Sequence, residues 1–112
     1  METNKKIEET AFTFFPNLNE LIGEIDDDTI VSRTVYRDEQ LRAILFGFAA
    51  HQELSEHTAA RPAIIYFLKG RTEVTIGGST FEAEAGSWLH MPAHLPHSIV
   101  ALEPAEMLLL LV

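Results

Sequence analysis

The sequence predicts an all-β domain, an antiparallel sandwich or barrel, preceded by a short helical extension. Three observations predict it. From Thr29 onward, apolar and β-branched residues fall in about eight short runs, several alternating with period two. Glycine or proline separates most of these runs, as at Lys69-Gly70-Arg71, Gly77-Gly78, Ala85-Gly86 and Pro92. Apolar residues make up 46% of the 112, enough for one core and too many for a disordered chain.

Residues 1–29 are expected to form an N-terminal extension. It is polar at first and then aromatic at Phe12, Phe14 and Phe15, rings suited to docking on a core. Asn17 can cap a helix, and Glu20 three residues on completes a capping box, so a helix is predicted from Leu18 to about Ile25. Asp26-Asp27-Asp28 then ends it as a solvated turn. The alternating ligands and later glutamate of a calcium loop are missing.

Residues 30–112 are expected to be the β domain. Ile30–Arg37 is rich in β-branched residues, Asp38-Glu39 turns, and Leu41–Ala50 follows with Ile44, Phe46 and Phe48 on one face. Ala63–Leu68 is a continuous apolar strand. Thr72–Ile76 alternates, Gly77-Gly78 is a hairpin signal, and Thr80–Ala83 returns. Ser87–Met91, His97–Leu102 and Glu106–Val112 complete the set. The run Met107–Val112 has no polar alternation and must be covered on both faces, by the core or by a partner subunit.

Composition excludes several functions. The net charge is −9, with 17 acidic against 8 basic residues. A nucleic-acid surface needs a basic stripe, and anionic lipid needs a basic patch. There is no cysteine, hence no disulfide, thiolate zinc site or cysteine nucleophile. Met107–Val112 is far short of the roughly 20 apolar residues that span a bilayer. METNKKIEET carries no signal-peptide stretch, so a cytoplasmic protein is expected. Ser55 and Ser79 lack a nucleophile signature, and Gly77-Gly78 lacks phosphate-loop spacing. Arg61 reads as a surface charge, and Tyr36 and Tyr66 as packing.

All five histidines lie between positions 51 and 97: His51, His57, His90, His94 and His97. A cluster of this kind suggests a metal site, although a single histidine in a strand or turn is usually structural. His90, His94 and His97 would share a face only on a helix. Pro92 and Pro96 forbid one, so any site must be assembled across strands.

In this arrangement the sequence resembles the cupin superfamily, and in particular its small, single-domain, RmlC-like members. The first cupin motif runs Gly, five residues, His-x-His, three or four residues, Glu, six residues, Gly. His51 takes the first glycine position, His57 the first histidine and Gly70 the last glycine. Ala59 stands at the second histidine and Ala63 at the glutamate. The second motif runs Gly, five residues, Pro-x-Gly, two residues, His, three residues, Asn. Gly86, Pro92 and His97 match it, while His94 replaces the second glycine and Ala101 the asparagine. The spacings hold across residues 51–101.

The resemblance implies a double-stranded β-helix, the cupin jelly-roll barrel, and a homodimer. It implies a divalent metal, iron, manganese, nickel or zinc, held inside the barrel. Of the usual three histidines and one glutamate, His57 and His97 remain. His51, His90, His94 or Glu53 could supplement them. Glu53 has the parity to form a facial triad with the two histidines. Such a protein binds or acts on a small molecule; dioxygenases, isomerases and decarboxylases all occur among cupins. The alternative is a metal-free cupin acting as sensor, carrier or accessory protein. Its small, partly apolar ligand would occupy a pocket lined by Phe46, Phe48, Ala59, Ala63, Phe67 and Trp88. In a third view those side chains simply fill the barrel.

Overall fold

A computed structural model describes residues 11–112. The start of the expected N-terminal extension, residues 1–10, lies outside the described residues. Nine strands follow one short helical turn: β1 (Ile30–Arg37), β2 (Arg42–Phe48), β3 (Glu53–His57), β4 (Ala63–Lys69), β5 (Arg71–Ile76), β6 (Ser79–Glu84), β7 (Trp88–Met91), β8 (His97–Ala101) and β9 (Ala105–Leu111). They form two antiparallel sheets, a five-stranded one in the order β1-β2-β9-β4-β7 and a four-stranded one in the order β3-β8-β5-β6. Apart from the hairpins β1–β2 and β5–β6, strands adjacent in sequence lie in different sheets, as in a jelly roll.

The core lies between the two sheets. Phe48, Ile65, Phe67 and Met107 contribute from the larger sheet, and Val74 and Ile99 from the smaller. Inward residues on β2 follow the expected period of two, Ile44, Phe46 and Phe48 sharing one face. On β9 the inward set is Ala105, Met107, Leu109 and Leu111.

The predicted N-terminal helix is reduced to a 3-10 turn, Leu18–Leu21. Asn17 does cap it, its side chain accepting from the Asn19 amide at 3.0 Å. The turn stops early because Gly23 takes a left-handed conformation at φ 67°. The following segment lies outside the larger sheet. A Cβ on Gly47 of β2 would fall 2.7 Å from Ile25 Cδ1 and 2.8 Å from Ile22 Cγ2. Glycine at 47 is therefore what lets those side chains rest on the strand. This explains why β2 is buried on both faces, with Ala43 and Leu45 covered as well as Ile44 and Phe48.

One strand was not predicted. β3 reads Glu-Leu-Ser-Glu-His, with one apolar residue in five, because it is an exposed edge strand. It carries His57.

Four loops close one end of the sandwich, and hydrogen bonds join them in a chain around the rim. Arg61 in the β3–β4 loop donates to Gln40 O in the β1–β2 turn at 2.6 Å. The His94 amide, in the β7–β8 loop, donates to Ala59 O at 2.7 Å, and the Gly77 amide, in the β5–β6 turn, donates to Pro96 O at 3.1 Å. The β1–β2 turn is itself an Asx turn. One Asp38 carboxylate oxygen accepts from the Gln40 and Leu41 amides, both at 2.8 Å, and the other from the Tyr36 hydroxyl at 2.7 Å. These bonds, led by the one from Tyr36, hold the Asp38 carboxyl below its ordinary range.

Candidate functional site

The two histidines from the two halves of the domain meet at this closed end. His57 is the last residue of β3 and His97 the first of β8, and they are cross-strand partners. Their ring centroids are 4.2 Å apart, with the planes inclined at 57°. His97 is buried at 8% exposure, while His57 is open to solvent. Ile76 of β5 pairs with His97 on its other side. One ring is thus part of the wall and the other part of the rim.

The same local device orients both rings. His57 Nδ1 lies 2.8 Å from Ser55 O, and His97 Nδ1 lies 2.8 Å from Leu95 O, in each case the carbonyl two residues earlier. A carbonyl oxygen only accepts, so each Nδ1 carries the hydrogen and donates it. In the neutral ring the free lone pair is then on Nε2. That tautomer suits a metal ligand or a proton acceptor, and backbone carbonyls are its usual support. The two residues thus fit one half of a four-ligand divalent site. Ala59 and Ala63 contribute no donor to the other half.

Glu53 does not join them. On a straight strand its even offset from His57 would place both on one face. β3 is not straight: Leu54 pairs with Ile99 and His57 with His97, so three steps on β3 span two on β8. The extra residue is a β-bulge, and it reverses parity along the strand. Leu54 therefore shares the inner face with His57. Glu53 pairs with Val100 and is exposed on the other face.

The remaining histidines are also dispersed. His51 lies at the opposite end, where its amide donates to Ala101 O at 2.7 Å. His90 is exposed on the outer face of β7, out of reach of the pair. His94 is exposed on the rim. Among the described residues, no three histidine, aspartate or glutamate side chains converge as a metal-holding group. His51 and His94 do occupy left-handed backbone, at φ 71° and 68°, as expected for residues standing at glycine positions. A Cβ there costs about 1–2 kcal/mol. Replacing His94 with glycine is expected to raise stability by roughly 0.5–1 kcal/mol after the added chain entropy is counted, measured by urea unfolding.

The expected pocket lining is mostly core. Phe48, Ala63 and Phe67 are buried in the central cluster, and Phe46 packs against it. Ala59 lies in the rim loop. Trp88 does not line the interior at all: it is 63% exposed. On β7 it is Leu89 and Met91 that pack toward the core, so Trp88 and His90 share the outer face. A cleft of roughly 630 Å³ lies outside the sandwich, between Phe12, Phe15 and Leu18 of the N-terminal segment and Val35, Leu41 and Ala43 of the larger sheet. It contains none of the histidines. Its charged member, Asp38, is already committed to the Asx turn, so the chemistry-bearing groups are at the histidine pair.

Carbonyl support from Ser55 and Leu95 is invisible in a sequence, because any residue type supplies it. Arg37 and Arg42 were also missed. They flank the β1–β2 turn as cross-strand partners at the same closed end.

Comparison with known proteins agrees with this architecture. Residues 44–112, more than half of the chain, match the family model described as a cupin domain. A solved cupin superfamily protein from Desulfitobacterium hafniense superposes with a TM-score of 0.80 at 23% identity, covering 85% of this chain and 86% of that one. A conserved protein of unknown function from Streptococcus pyogenes gives a TM-score of 0.74 at 32% identity, over 80% and 78% of the two chains. An RmlC-like cupin from Desulfovibrio desulfuricans gives 0.75 at 24% identity, over 90% and 96%. No curated protein matches the chain.

Proposed function

This chain belongs to the cupin family, and from that premise we propose that it binds a small molecule at the His57–His97 pair, with a divalent metal held on the two Nε2 atoms. The observation that carries this is the matched anchoring of both Nδ1 hydrogens by Ser55 O and Leu95 O, which leaves two lone pairs on neighbouring rings. Water or the bound molecule would complete the shell, since two protein ligands do not fill a coordination sphere. Iron, manganese, nickel and zinc all accept imidazole nitrogen. Such an ion supplies Lewis-acid polarisation to an oxygen of the bound molecule. The protein's own part is to fix the tautomer, exclude water on the His97 side and leave the His57 side open for entry. Elemental analysis of the purified protein beside His57→Ala and His97→Ala tests the proposal. About one equivalent of metal, lost in both variants, supports it.

Ala59 and Ala63 favour a second reading. Without a third donor, the two imidazoles would act as hydrogen-bond acceptors, or as a general base, for an organic ligand in a metal-free barrel. A ligand of that kind would raise the unfolding temperature equally with and without a chelator.

No helix among the described residues is long and apolar enough to cross a membrane. The cysteine-free composition suits a reducing cytoplasm, where we place the protein. We also propose a homodimer through the outer face of the larger sheet. Leu108, Tyr66 and Trp88 lie side by side across β9, β4 and β7, with Tyr66 43% and Trp88 63% exposed. Adjacent exposed aromatics of this kind mark an interface. Sedimentation at micromolar concentration should show a dimer. In Trp88→Glu, dissociation should rise by about 30-fold or more, as for loss of a central anchor, with the circular dichroism unchanged.

A further inference from the structure

The end that carries the histidine pair also gathers cations, beside Asp38 and Glu39 of the β1–β2 turn. Net charge is −9, yet three of the eight basic residues, Arg37, Arg42 and Arg61, are at this one end. Arg61 is tied to the β1–β2 turn through Gln40 O. Arg37 and Arg42 pair directly across β1 and β2. Arg42 shares its face with Ile44 and Phe46 on β2, and that face packs on the core. Its partner on β9 is Leu111, which pairs in turn with Ala63 on β4. The row from Arg37 to Ala63 is therefore the last inward row of the larger sheet. His57, His97 and Ile76 form the last inward row of the smaller sheet at the same end.

Two like charges directly opposite on a ladder repel each other. A carboxylate usually relieves such a pair, but among the described residues neither arginine makes an ion pair. Of the two acids in the turn between them, Asp38 has both oxygens engaged by the turn amides and Tyr36, and Glu39 forms no ion pair with either arginine. Two guanidinium forks thus stand at the mouth with unused donors, above a wall that is apolar at Leu111, Ile76 and Met91. Guanidinium matches an oxyanion head group bidentately.

We propose that the molecule received at the His57–His97 site is a carboxylate on an apolar body, with Arg37 and Arg42 holding the carboxylate. This rests on the assignment of His57 and His97 as the ligand site and adds the class of ligand.

Titration calorimetry with benzoate, its neutral isostere benzamide and inorganic phosphate tests the proposal, in low salt, with metal uptake measured on the same samples. Benzoate should bind, and benzamide should not. The double variant Arg37→Gln, Arg42→Gln should weaken benzoate at least ~10-fold. Its unfolding temperature should be no lower than that of the wild type, since a repulsive pair is removed, and its metal uptake should be unchanged. Raising the salt concentration should weaken benzoate binding further. Equal binding of benzamide, an unchanged affinity in the double variant, or binding of phosphate alone would each overturn it. The two assignments fail separately. Metal uptake that ignores His57→Ala and His97→Ala removes the metal assignment, while an arginine-dependent benzoate affinity would still stand.

Discussion

Gly70→Ala is expected to destabilise the domain by about 2–5 kcal/mol. Gly70 joins β4 to β5 and takes φ 78°, in the left-handed region. Two costs arise together. A Cβ in that conformation is strained by about 1–2 kcal/mol. The same Cβ would collide with Pro104 O and lie 2.8 Å from Ala105 Cα, and both atoms are backbone and cannot swing aside. Overpacking against a rigid neighbour adds roughly 1–3 kcal/mol. Gly78 is the control, since an added Cβ there meets nothing within 4 Å and its φ is not left-handed. Gly78→Ala should change stability by less than about 0.5 kcal/mol. Urea unfolding of the two variants measures the difference. Equal stabilities would show that the Pro104–Ala105 segment yields, and that the crossing of β4 to β5 is not fixed by close contact.

The second large effect is functional, and it separates two histidines with similar roles. His97→Ala and His57→Ala should each lower divalent-metal affinity by at least ~100-fold, because even the outer hydrogen-bond partners of a ligand are worth 10- to 100-fold. Their stability effects should differ. His97 is buried beside Ile76, so its removal opens space and exposes Leu95 O to loss of its partner; about 1–3 kcal/mol is expected. His57 is exposed, and its loss should cost under about 0.5 kcal/mol. Zinc titration and urea unfolding on the same samples resolve the two readouts. If neither variant changes metal uptake, the metal lies elsewhere or is not bound by the protein, and the metal-free reading takes over.

The fold was readable because its signals are local. Ile30–Arg37 was delimited from its β-branched content alone, and the observed β1 has the same ends. Gly77-Gly78 marked the hairpin between β5 and β6. The placement of His57 and His97 in one site came from motif spacing, since a gap of forty residues has no local meaning. Their pairing at 4.2 Å agrees with that spacing. Glu53 and Trp88 were misplaced for a shared reason. Period-two parity tells which residues share a face only while a strand is straight, and it never tells which face is inside. A bulge in β3 reversed the first relation, and the packing of Leu89 and Met91 decided the second.

The chain by itself determined the number and order of most strands, the turns between them and the family, because each follows from periodicity, turn chemistry or spacing along one strand of text; the same spacing is what puts His57 and His97 forward as candidates. Tertiary structure alone decided the rest. It turned the polar segment Glu53–His57 into an edge strand, by supplying a hydrogen-bonding partner in β8. It rested Ile22 and Ile25 on Gly47, using a close approach that no neighbouring residue announces. It also set Arg37 against Arg42 at the end that holds the histidines. These outcomes depend on which surfaces meet across the sandwich, and that is settled by register and bulges, where a shift of one residue exchanges inside for outside.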